Sequence, residues 1–325
     1  MKSNLDFLNK WREETISSVY GNYEQLNYFH DELMKKAVNI AIDKVKSEQG
    51  DPPAHFAFFL MGSSGRGEQS IWSDQDHGII FDGPEEDNSY FLTLGIEISI
   101  SLKAVGYAYC EGKVMASNPL WCKSSVEWKQ QINDWLQEKS WESIRHFSTF
   151  FDSRVLIGEG HLLSELKELS FQKVEENPQL FGRFIENVSH IKKGIGLFGQ
   201  LLTSSHGEDA GSINLKEKVF FPYVNSLRIM ALREHIIAPS TLARFRELPH
   251  TYTNIKEYET EFIKLLNDRL YHQRESESYH QVHLLKVDRL KKDEKQQLKR
   301  IMKNGYRLFA ETKAIVEKGV KYGAK

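Results

Sequence analysis

The sequence has only two cysteines, Cys110 and Cys122, and they are not arranged as a CxxC pair. Two thiols with this spacing support neither a disulfide scaffold nor a zinc site, and they are typical of a reducing compartment. No apolar run approaches the roughly 18 residues needed to cross a bilayer, and the N-terminal residues lack the apolar core of a signal peptide. We therefore expect a cytoplasmic protein with no membrane partner.

A strong excess of one charge is also absent, because the 325 residues carry a formal net charge of −2. The chain as a whole thus lacks the basic character of polyanion-binding proteins. The last 40 residues differ, with 13 Lys or Arg against five Asp or Glu. This tail either binds nucleic acid or an acidic partner, or forms a helix that packs through Leu298, Ile301 and Leu308. We expect the packed helix and no nucleic-acid partner.

Proline is scarce, with eight residues, and the Asp51-Pro52-Pro53 breaker separates two kinds of pattern. Residues 1 to about 50 show helical spacing, whereas residues 53 to 158 alternate short apolar runs with helical patterns. Beyond them strand signals nearly vanish, and helical periodicity covers 162–174, 181–202, 220–236, 241–248 and 258–274. We predict an α+β chain with an N-terminal helical segment (1–52), a small mixed-sheet core (53–158) and an all-helical C-terminal domain (159–325).

The most informative segment is GSSGRGEQSIWSDQD, residues 62–76, which lies between two short apolar runs of strand length. Its glycines allow backbone N–H groups to turn toward a bound anion. Asp74 and Asp76 are two positions apart at the entrance to the second strand, so their side chains would project from one face. Two hard oxygen ligands on one face suit Mg²⁺ held beside the phosphates of a nucleotide.

Each part of this segment has a simpler explanation when taken alone. A lone Asp-x-Asp is most often a solvated turn. Arg66 could contact phosphate, or it could form an ion pair with Glu68 that braces the turn. The ordered combination of strand, Gly-Ser turn and Asp-x-Asp before another strand is what favours a metal-bound nucleoside triphosphate.

On these residues the chain resembles the nucleotidyltransferase superfamily that includes DNA polymerase β, and within it the branch of PII-uridylyltransferase and glutamine synthetase adenylyltransferase. It is most similar to a nucleotidyltransferase family of uncharacterised function, whose signature the segment 62–76 matches almost residue for residue. The segments KVMASNPLW (113–121) and FFDSRVLIG (150–158) are also similar to that family. The resemblance implies a polymerase β-like catalytic core followed by a helical substrate-binding domain.

The resemblance also implies roles for individual residues. Asp74, Asp76 and a third carboxylate from a later strand would be the catalytic residues that hold Mg²⁺ or Mn²⁺. Asp152 is the candidate for the third, and a salt bridge to Arg154 or a turn position is its alternative. The residues expected to line the nucleotide site are Gly62, Ser63, Gly65, Arg66 and Glu68. The candidate substrate-binding residues of the C-terminal domain are Lys216, Arg228, Arg269, His272 and Gln273, although each singly is more typical of a solvated helix face.

The reaction implied by the resemblance is Mg²⁺-dependent transfer of a nucleoside monophosphate from a nucleoside triphosphate to an acceptor, with release of pyrophosphate. The PII-related branch suggests a regulatory protein as the acceptor and a role in signal transduction. Two alternatives stay open: a catalytically silent module that senses a nucleotide, and a transferase that acts on a small molecule. The intact pair Asp74 and Asp76 favours an enzyme over the sensor.

Overall fold

The computed structural model describes residues 2–190, 192–207, 209–274, 276 and 278–322. It confirms the α+β class, with a small mixed sheet between helical N- and C-terminal parts. The helices and strands follow in this order: α1 (Lys2–Val19), α2 (Tyr23–Gln49), β1 (Phe56–Leu60), α3 (Gly62–Arg66), β2 (His77–Phe81), α4 (Asn88–Ala104), β3 (Cys122–Ser124), α5 (Ser125–Glu138), α6 (Trp141–Phe151), β4 (Arg154–Gly158), α7 (Gly160–Glu176), α8 (Leu180–Val188), β5 (Ser212–Asn214), α9 (Phe221–Arg233), α10 (Thr241–Glu247), α11 (Thr253–Lys256), α12 (Glu259–Gln273), β6 (Leu284–Lys286) and α13 (Lys292–Tyr322).

The predicted N-terminal helical stretch divides into α1 and α2 at a turn around Gly21 and Asn22. The Asn22 side chain accepts hydrogen bonds from the backbone N–H groups of Glu24 and Gln25, which caps the start of α2. Leu33, Ala37 and other residues at helical spacing in α2 are fully buried against the sheet and α4. These two helices therefore cover one face of the sheet.

The sheet has the strand order β3-β2-β1-β4. β1 is antiparallel to β2 and β4, and β2 is parallel to β3. Side chains along β1 alternate between two cores: Phe58 and Leu60 face α1, α2 and α4, whereas Ala57 and Phe59 face α5, α6 and α7. The second of these cores continues into the helices of the C-terminal part, so the sheet is buried on both faces.

The C-terminal part is helical, as predicted, with one addition. β5 and β6 form a two-stranded antiparallel sheet in which Ile213 pairs with Leu285. The prediction of a helix over 181–202 is wrong beyond Val188, where α8 ends. Gly194, Gly196 and Gly199 fall in the following segment, and Gly199 has φ +75°, which a helix does not accommodate.

The basic C-terminal segment forms the long helix α13, as predicted. Its apolar face is buried, with Leu298, Ile301, Leu308 and Val316 in the main core, and α13 packs on α9. The charged side chains of this helix therefore lie on the opposite face. Among the described residues, no helix combines the length and the apolar character needed to span a bilayer.

Candidate metal centre and nucleotide site

The ends of β1 and β2 bring the glycine turn and the aspartates together. Leu60 lies opposite His77 in the antiparallel pair, so the end of β1 is beside the start of β2. The Met61 N–H donates to the Asp76 carbonyl at 2.8 Å and extends this pairing by one residue. Gly62, the first residue of α3, therefore lies directly against Asp76.

Two features of the junction between β1 and α3 require glycine at position 62. Its φ of +56° lies in the left-handed region that favours glycine. A Cβ atom at this position would also overlap the Asp76 Oδ2 atom. Any larger residue would displace the Asp76 carboxylate, so glycine at this position allows that carboxylate to lie against the start of α3.

Asp74, Asp76 and Cys110 form the acidic centre of the molecule. Their ligand atoms all lie within 4.8 Å of one another, and within the described ranges this is the group that could hold a metal ion. Asp74 forms a parallel bridge with Ala108, in which the Gln75 N–H donates to the Ala108 carbonyl at 2.9 Å. Because residues two positions apart share a face, this register places Cys110 beside Asp76.

Burial and like charge dominate the electrostatics of the acidic centre. Burial, and then the neighbouring Asp74 carboxylate, raise the pKa of Asp76 well above its usual range. Burial, and then the charge of Asp76, likewise raise the pKa of the Cys110 thiol. Both shifts show that negative charge is disfavoured here in the absence of a cation. A bound divalent cation would reverse this balance.

The chemistry of these side chains fits a hard divalent cation. The two carboxylates supply oxygen ligands, and Mg²⁺ is commonly bound through one or two carboxylates together with substrate phosphates. Cys110 offers a soft sulfur ligand, which hard cations such as Mg²⁺ bind poorly compared with carboxylate oxygens. Asp74 and Asp76 are therefore the residues that could hold Mg²⁺ or Mn²⁺.

Asp152, the candidate for a third metal ligand, lies elsewhere, in what we call the arginine cage. Its fully buried carboxylate accepts hydrogen bonds from Arg66 Nη1 at 2.8 Å, Arg244 Nη1 at 2.8 Å and Arg228 Nε at 3.0 Å. A second nitrogen of Arg228 also pairs with it. Against the cost of burial, the three guanidinium groups hold the pKa of Asp152 well below its usual range.

The strand order explains why Asp152 is not in the acidic centre. Asp152 follows α6 and precedes β4, which pairs with β1 on the side opposite β2. Its carbonyl oxygen lies under Gly65, where a Cβ atom would overlap it. The alternative partner, Arg154, instead pairs with Asp31, with Nη2 2.6 Å from Oδ1. The structure therefore separates Asp152 from Asp74 and Asp76.

The other loop residues divide between the two sites. Arg66 Nε donates to Glu68 at 2.7 Å, so the bracing ion pair is present and both side chains belong to the arginine cage. Because Gly65 has no side chain, α3 can pack closely against the Asp152 carbonyl. Ser63, in contrast, is only half-buried and follows Gly62 at the acidic centre. Of the five predicted nucleotide contacts, Gly62 and Ser63 remain best placed.

Among the candidates in the C-terminal part, Lys216 lies nearest the acidic centre. It begins the π-helical turn before α9, is exposed, and is close enough to lower the pKa of Asp76. The neighbouring His283 has a pKa lowered to about 3, first by burial and then by the charges of Lys216 and Arg269. Lys216 is therefore a cation near the acidic centre, and the neutral imidazole of His283 lies near Lys216.

The remaining candidates make contacts within the protein. Arg269 donates to the Glu68 carbonyl at 2.8 Å, and Gln273 accepts a hydrogen bond from the Ser70 hydroxyl. Arg228 is committed to Asp152 in the arginine cage. His272 lines a separate cavity of about 240 Å³ between α12 and α13. Arg269, Gln273 and Arg228 therefore join the two parts of the chain, and of the five candidates Lys216 is the one that is exposed near the acidic centre.

Three residues at these sites were not among the candidates. Cys110 joins the acidic centre through the bridge at Ala108, and Arg244 completes the arginine cage. Tyr279 is near enough to the acidic centre that burial, and then the charge of Asp74, raise its pKa. Cys110 lies just before the segment KVMASNPLW, which could have drawn attention to it. Arg244 and Tyr279 come from a helix and a turn far along the chain, with no local signal for either role.

Two family models match the chain. A family model described as "Putative nucleotidyltransferase DUF294" matches residues 15–142, which contain the acidic centre. A second, described as "Putative nucleotidyltransferase substrate binding domain", matches residues 178–314, which contain Lys216 and Tyr279. No curated protein matches the chain. The two family models together span most of the sequence, and the chain belongs to this family of putative nucleotidyltransferases with a C-terminal substrate-binding domain.

Proposed function

We propose that the protein is a Mg²⁺-dependent nucleotidyltransferase that moves a nucleoside monophosphate from a nucleoside triphosphate to an acceptor hydroxyl and releases pyrophosphate. Membership of the family supports nucleotidyl transfer in general. The observation that carries the finer proposal is that the carboxylates of Asp74 and Asp76 lie together and that Asp76 lies against Gly62. Mn²⁺ would serve as well as Mg²⁺ on the same oxygen ligands.

In this proposal Asp74 and Asp76 hold the cation through their carboxylate oxygens. The cation, when bound, neutralises charge on the phosphates and on the attacking and leaving oxygens. Gly62 lets the Asp76 carboxylate approach the start of α3. The Ser63 hydroxyl donates to a phosphate oxygen, and the ammonium group of Lys216 faces the phosphates. Such positioning and charge neutralisation are the main contributions a protein makes to phosphoryl transfer.

The acceptor we propose is a hydroxyl group of a protein, because the motif at residues 62–76 resembles the branch that modifies regulatory proteins. A small-molecule acceptor uses the same site and the same chemistry. Label recovered on a protein band or on a low-molecular-weight product distinguishes the two.

The test is metal-dependent transfer from each of the four labelled nucleoside triphosphates in the presence of cell extract. The wild type is compared with Asp76→Asn and with Asp82→Asn, a matched change at the far, exposed end of β2. We expect transfer and pyrophosphate release with the wild type and Asp82→Asn, and a loss of ~100-fold or more with Asp76→Asn. Equal activity of Asp76→Asn and the wild type would refute the proposal.

A nucleotide-sensing module is the second candidate, and the arginine cage is the observation that favours it. With Asp152 enclosed by three arginines, two carboxylates and a protonated thiol remain at the acidic centre. A sensor would bind the metal–triphosphate complex in calorimetry but release no pyrophosphate with any acceptor. Transfer that depends on Asp76 excludes it.

A further inference from the structure

The cavity between α12 and α13 has the size of a site for a compact ligand. Its volume is about 240 Å³, and its lining does not include the residues of the acidic centre. At ~30 Å³ for each water molecule, this volume corresponds to roughly eight waters. Cavities that take drug-sized ligands are larger, with volumes from about 300 Å³ upward. Two lining residues, Lys264 and Tyr271, are exposed, so the cavity is open to solvent on that side.

One part of the lining is aliphatic. It consists of six buried side chains: Leu215, Leu265, Leu285, Leu290, Leu298 and Ile301. Apolar ligand surface placed against such side chains leaves water, which favours binding roughly in proportion to the area buried. This part of the cavity therefore suits a ligand with a small aliphatic body.

Two carboxylates line the same cavity from opposite helices, Asp268 on α12 and Glu294 on α13. The Asp268 carboxylate accepts a hydrogen bond from the neutral amide of Gln297, and within the described ranges it forms no ion pair. One oxygen of Glu294 accepts the Lys291 backbone N–H at 2.7 Å. Because charged groups inside proteins are normally paired, a cationic group on the ligand would supply the partner that Asp268 lacks.

Arg269 lines the cavity as well, and it has no anionic partner among the residues that the structure describes. Its Nη2 donates to the backbone carbonyls of Glu68 at 2.8 Å and Gln69 at 3.2 Å. The guanidinium carbon lies 4.7 Å from the centroid of the Phe220 ring. Its Nε is buried without a hydrogen-bond partner in the described part of the chain. A carboxylate is the group that a guanidinium in this state binds best.

We propose that this cavity binds a free α-amino acid with a branched aliphatic side chain. The ammonium group of the ligand pairs with Asp268 and Glu294, and its carboxylate pairs with Arg269. The aliphatic side chain lies against the leucines. The lining supports a zwitterion because its charges balance, with Lys264 and Arg269 against Asp268 and Glu294. A ligand with a net charge would leave charges of one sign in the lining unpaired.

The position of the cavity makes it an effector site, separate from the place of transfer. Arg269, which would hold the ligand carboxylate, also holds the backbone carbonyls of Glu68 and Gln69 within the segment 62–76. Leu215 of the lining directly precedes Lys216, the exposed cation near Asp76. The ligand would thus contact residues that are linked to the acidic centre without occupying it.

The experiment is calorimetric titration of the full chain with L-leucine and L-valine, without nucleotide or metal. Isopentylamine keeps the shape and the ammonium group of leucine but has no carboxylate, whereas isocaproate keeps the carboxylate and has no ammonium group. L-Tryptophan is a zwitterion too large for the cavity. We expect L-leucine and L-valine to bind, each single-charge analogue to bind about tenfold or more weakly than L-leucine, and L-tryptophan to show no binding.

Three variants locate the ligand. Asp268→Asn keeps the shape of the side chain and removes its charge, and Asp293→Asn is the matched control at an exposed position of α13 outside the cavity. The affinity for L-leucine should fall about tenfold or more in Asp268→Asn and stay unchanged in Asp293→Asn. Asp76→Asn should also bind L-leucine as the wild type does. Thermal unfolding shows whether each variant is folded, and Glu294→Gln replaces Asp268→Asn if that variant is not.

Four results would overturn the inference. These are a folded wild type that binds neither L-leucine nor L-valine, analogues that bind as tightly as L-leucine, full affinity in both cavity variants, and loss of binding in Asp76→Asn, which would place the ligand at the acidic centre. None of these titrations uses a nucleotide. A failure of nucleotidyl transfer therefore leaves this inference standing, and a failure of amino-acid binding leaves the proposed function standing.

Discussion

The acidic centre and the arginine cage are two carboxylate sites, one on each side of α3, with opposite electrostatics. Asp76 lies beside a second carboxylate, and its pKa is raised by burial and by that neighbour. Asp152 is more deeply buried, yet its pKa is lowered because three guanidinium groups surround it. Burial alone raises the pKa of a carboxyl group, so the supply of cations decides the direction.

This difference separates a structural site from a binding site. The cations of the arginine cage come from α3, α9 and α10, so the cage links the loop at residues 62–66 to the C-terminal helices. The acidic centre has carboxylates in excess, and the cations near Asp76 are Lys216 and Arg66, of which Arg66 is already paired with Glu68 and Asp152. It is the site where a cation from solution would find unpaired ligands, and isosteric changes of the two carboxylates should therefore have opposite effects on stability.

The largest expected effect is from Asp152→Asn, which removes the charge that three buried guanidinium groups share. We expect the free energy of unfolding to fall by about 3–5 kcal/mol, because breaking a buried ion network leaves uncompensated charge. Urea unfolding at pH 7 measures it. Asp51→Asn, at an exposed pair with Lys46, is the control and should change stability by less than about 1 kcal/mol. A similar small change for Asp152→Asn would contradict the structural role of the cage.

The stability difference between the wild type and Asp152→Asn should also depend on pH. The pKa of Asp152 is lower in the folded chain than in the unfolded chain, so its contribution is present above the unfolded pKa of about 4 and is lost as pH falls below it. The stability difference between wild type and Asp152→Asn should shrink by about 1.4 kcal/mol for each pH unit below 4. A difference that stays constant between pH 5 and pH 3 would show that the Asp152 charge is not responsible.

The local parts of both sites could be predicted from the sequence, but their partners could not. The apolar runs before and after residues 62–76 correspond to β1 and β2, and the two-residue spacing of Asp74 and Asp76 placed them on one face. Arg228 and Arg244 are 76 and 92 residues beyond Asp152. Periodicity shows which face of a helix is buried, but not which segment packs against that face.

The neighbourhood of Asp152 shows the same limit. The resemblance implied a third carboxylate from a later strand, and Asp152 lies between the end of α6 and the start of β4. Long-range packing determines whether β4 pairs with β2 or, as observed, with the other edge of β1. The position of β4 in turn determines whether Asp152 lies near Asp74 and Asp76 or among the arginines. The resemblance to a superfamily with three carboxylates therefore could not locate the third.

The next effect in size is stabilisation of the acidic centre by metal. Mg²⁺ or Mn²⁺ at about 100 times its dissociation constant should raise the free energy of unfolding of the wild type by about 2.7 kcal/mol, because the ion binds the folded state alone. Chelation should reverse the change in a thermal unfolding scan. Asp76→Asn should show little of this gain, whereas Asp152→Asn, if folded, should retain it. Equal stabilisation of wild type and Asp76→Asn would place the ion elsewhere.

Asp76→Asn, measured without metal, tests whether the charge of Asp76 destabilises the fold while that of Asp152 stabilises it. The pKa of Asp76 is higher in the folded chain, so its favourable contribution is present below the unfolded pKa and is lost as pH rises through the folded value. At pH 8 the ionised group opposes folding, and Asp76→Asn should be more stable than the wild type by roughly 1–2 kcal/mol. Denaturant unfolding at pH 8 and pH 4 measures the change, which should disappear at the lower pH. A loss of stability at pH 8 would mean that the acidic centre is already neutralised by the chain.

The smallest effect is expected from Cys110→Ser, which asks whether the thiol is a ligand of the acidic centre. Sulfur is a soft ligand that a hard cation binds poorly, and burial and then the charge of Asp76 raise the pKa of Cys110. Affinity for Mg²⁺ or Mn²⁺ should change by less than about threefold, since a hydroxyl replaces a weak neutral ligand of similar size. Calorimetric titration of wild type, Cys110→Ser and Asp74→Asn gives the comparison, and only the last should lose most of its affinity. A tenfold or greater loss in Cys110→Ser would assign the thiol a direct place among the ligands. The acidic centre would then favour a softer ion than the two carboxylates alone.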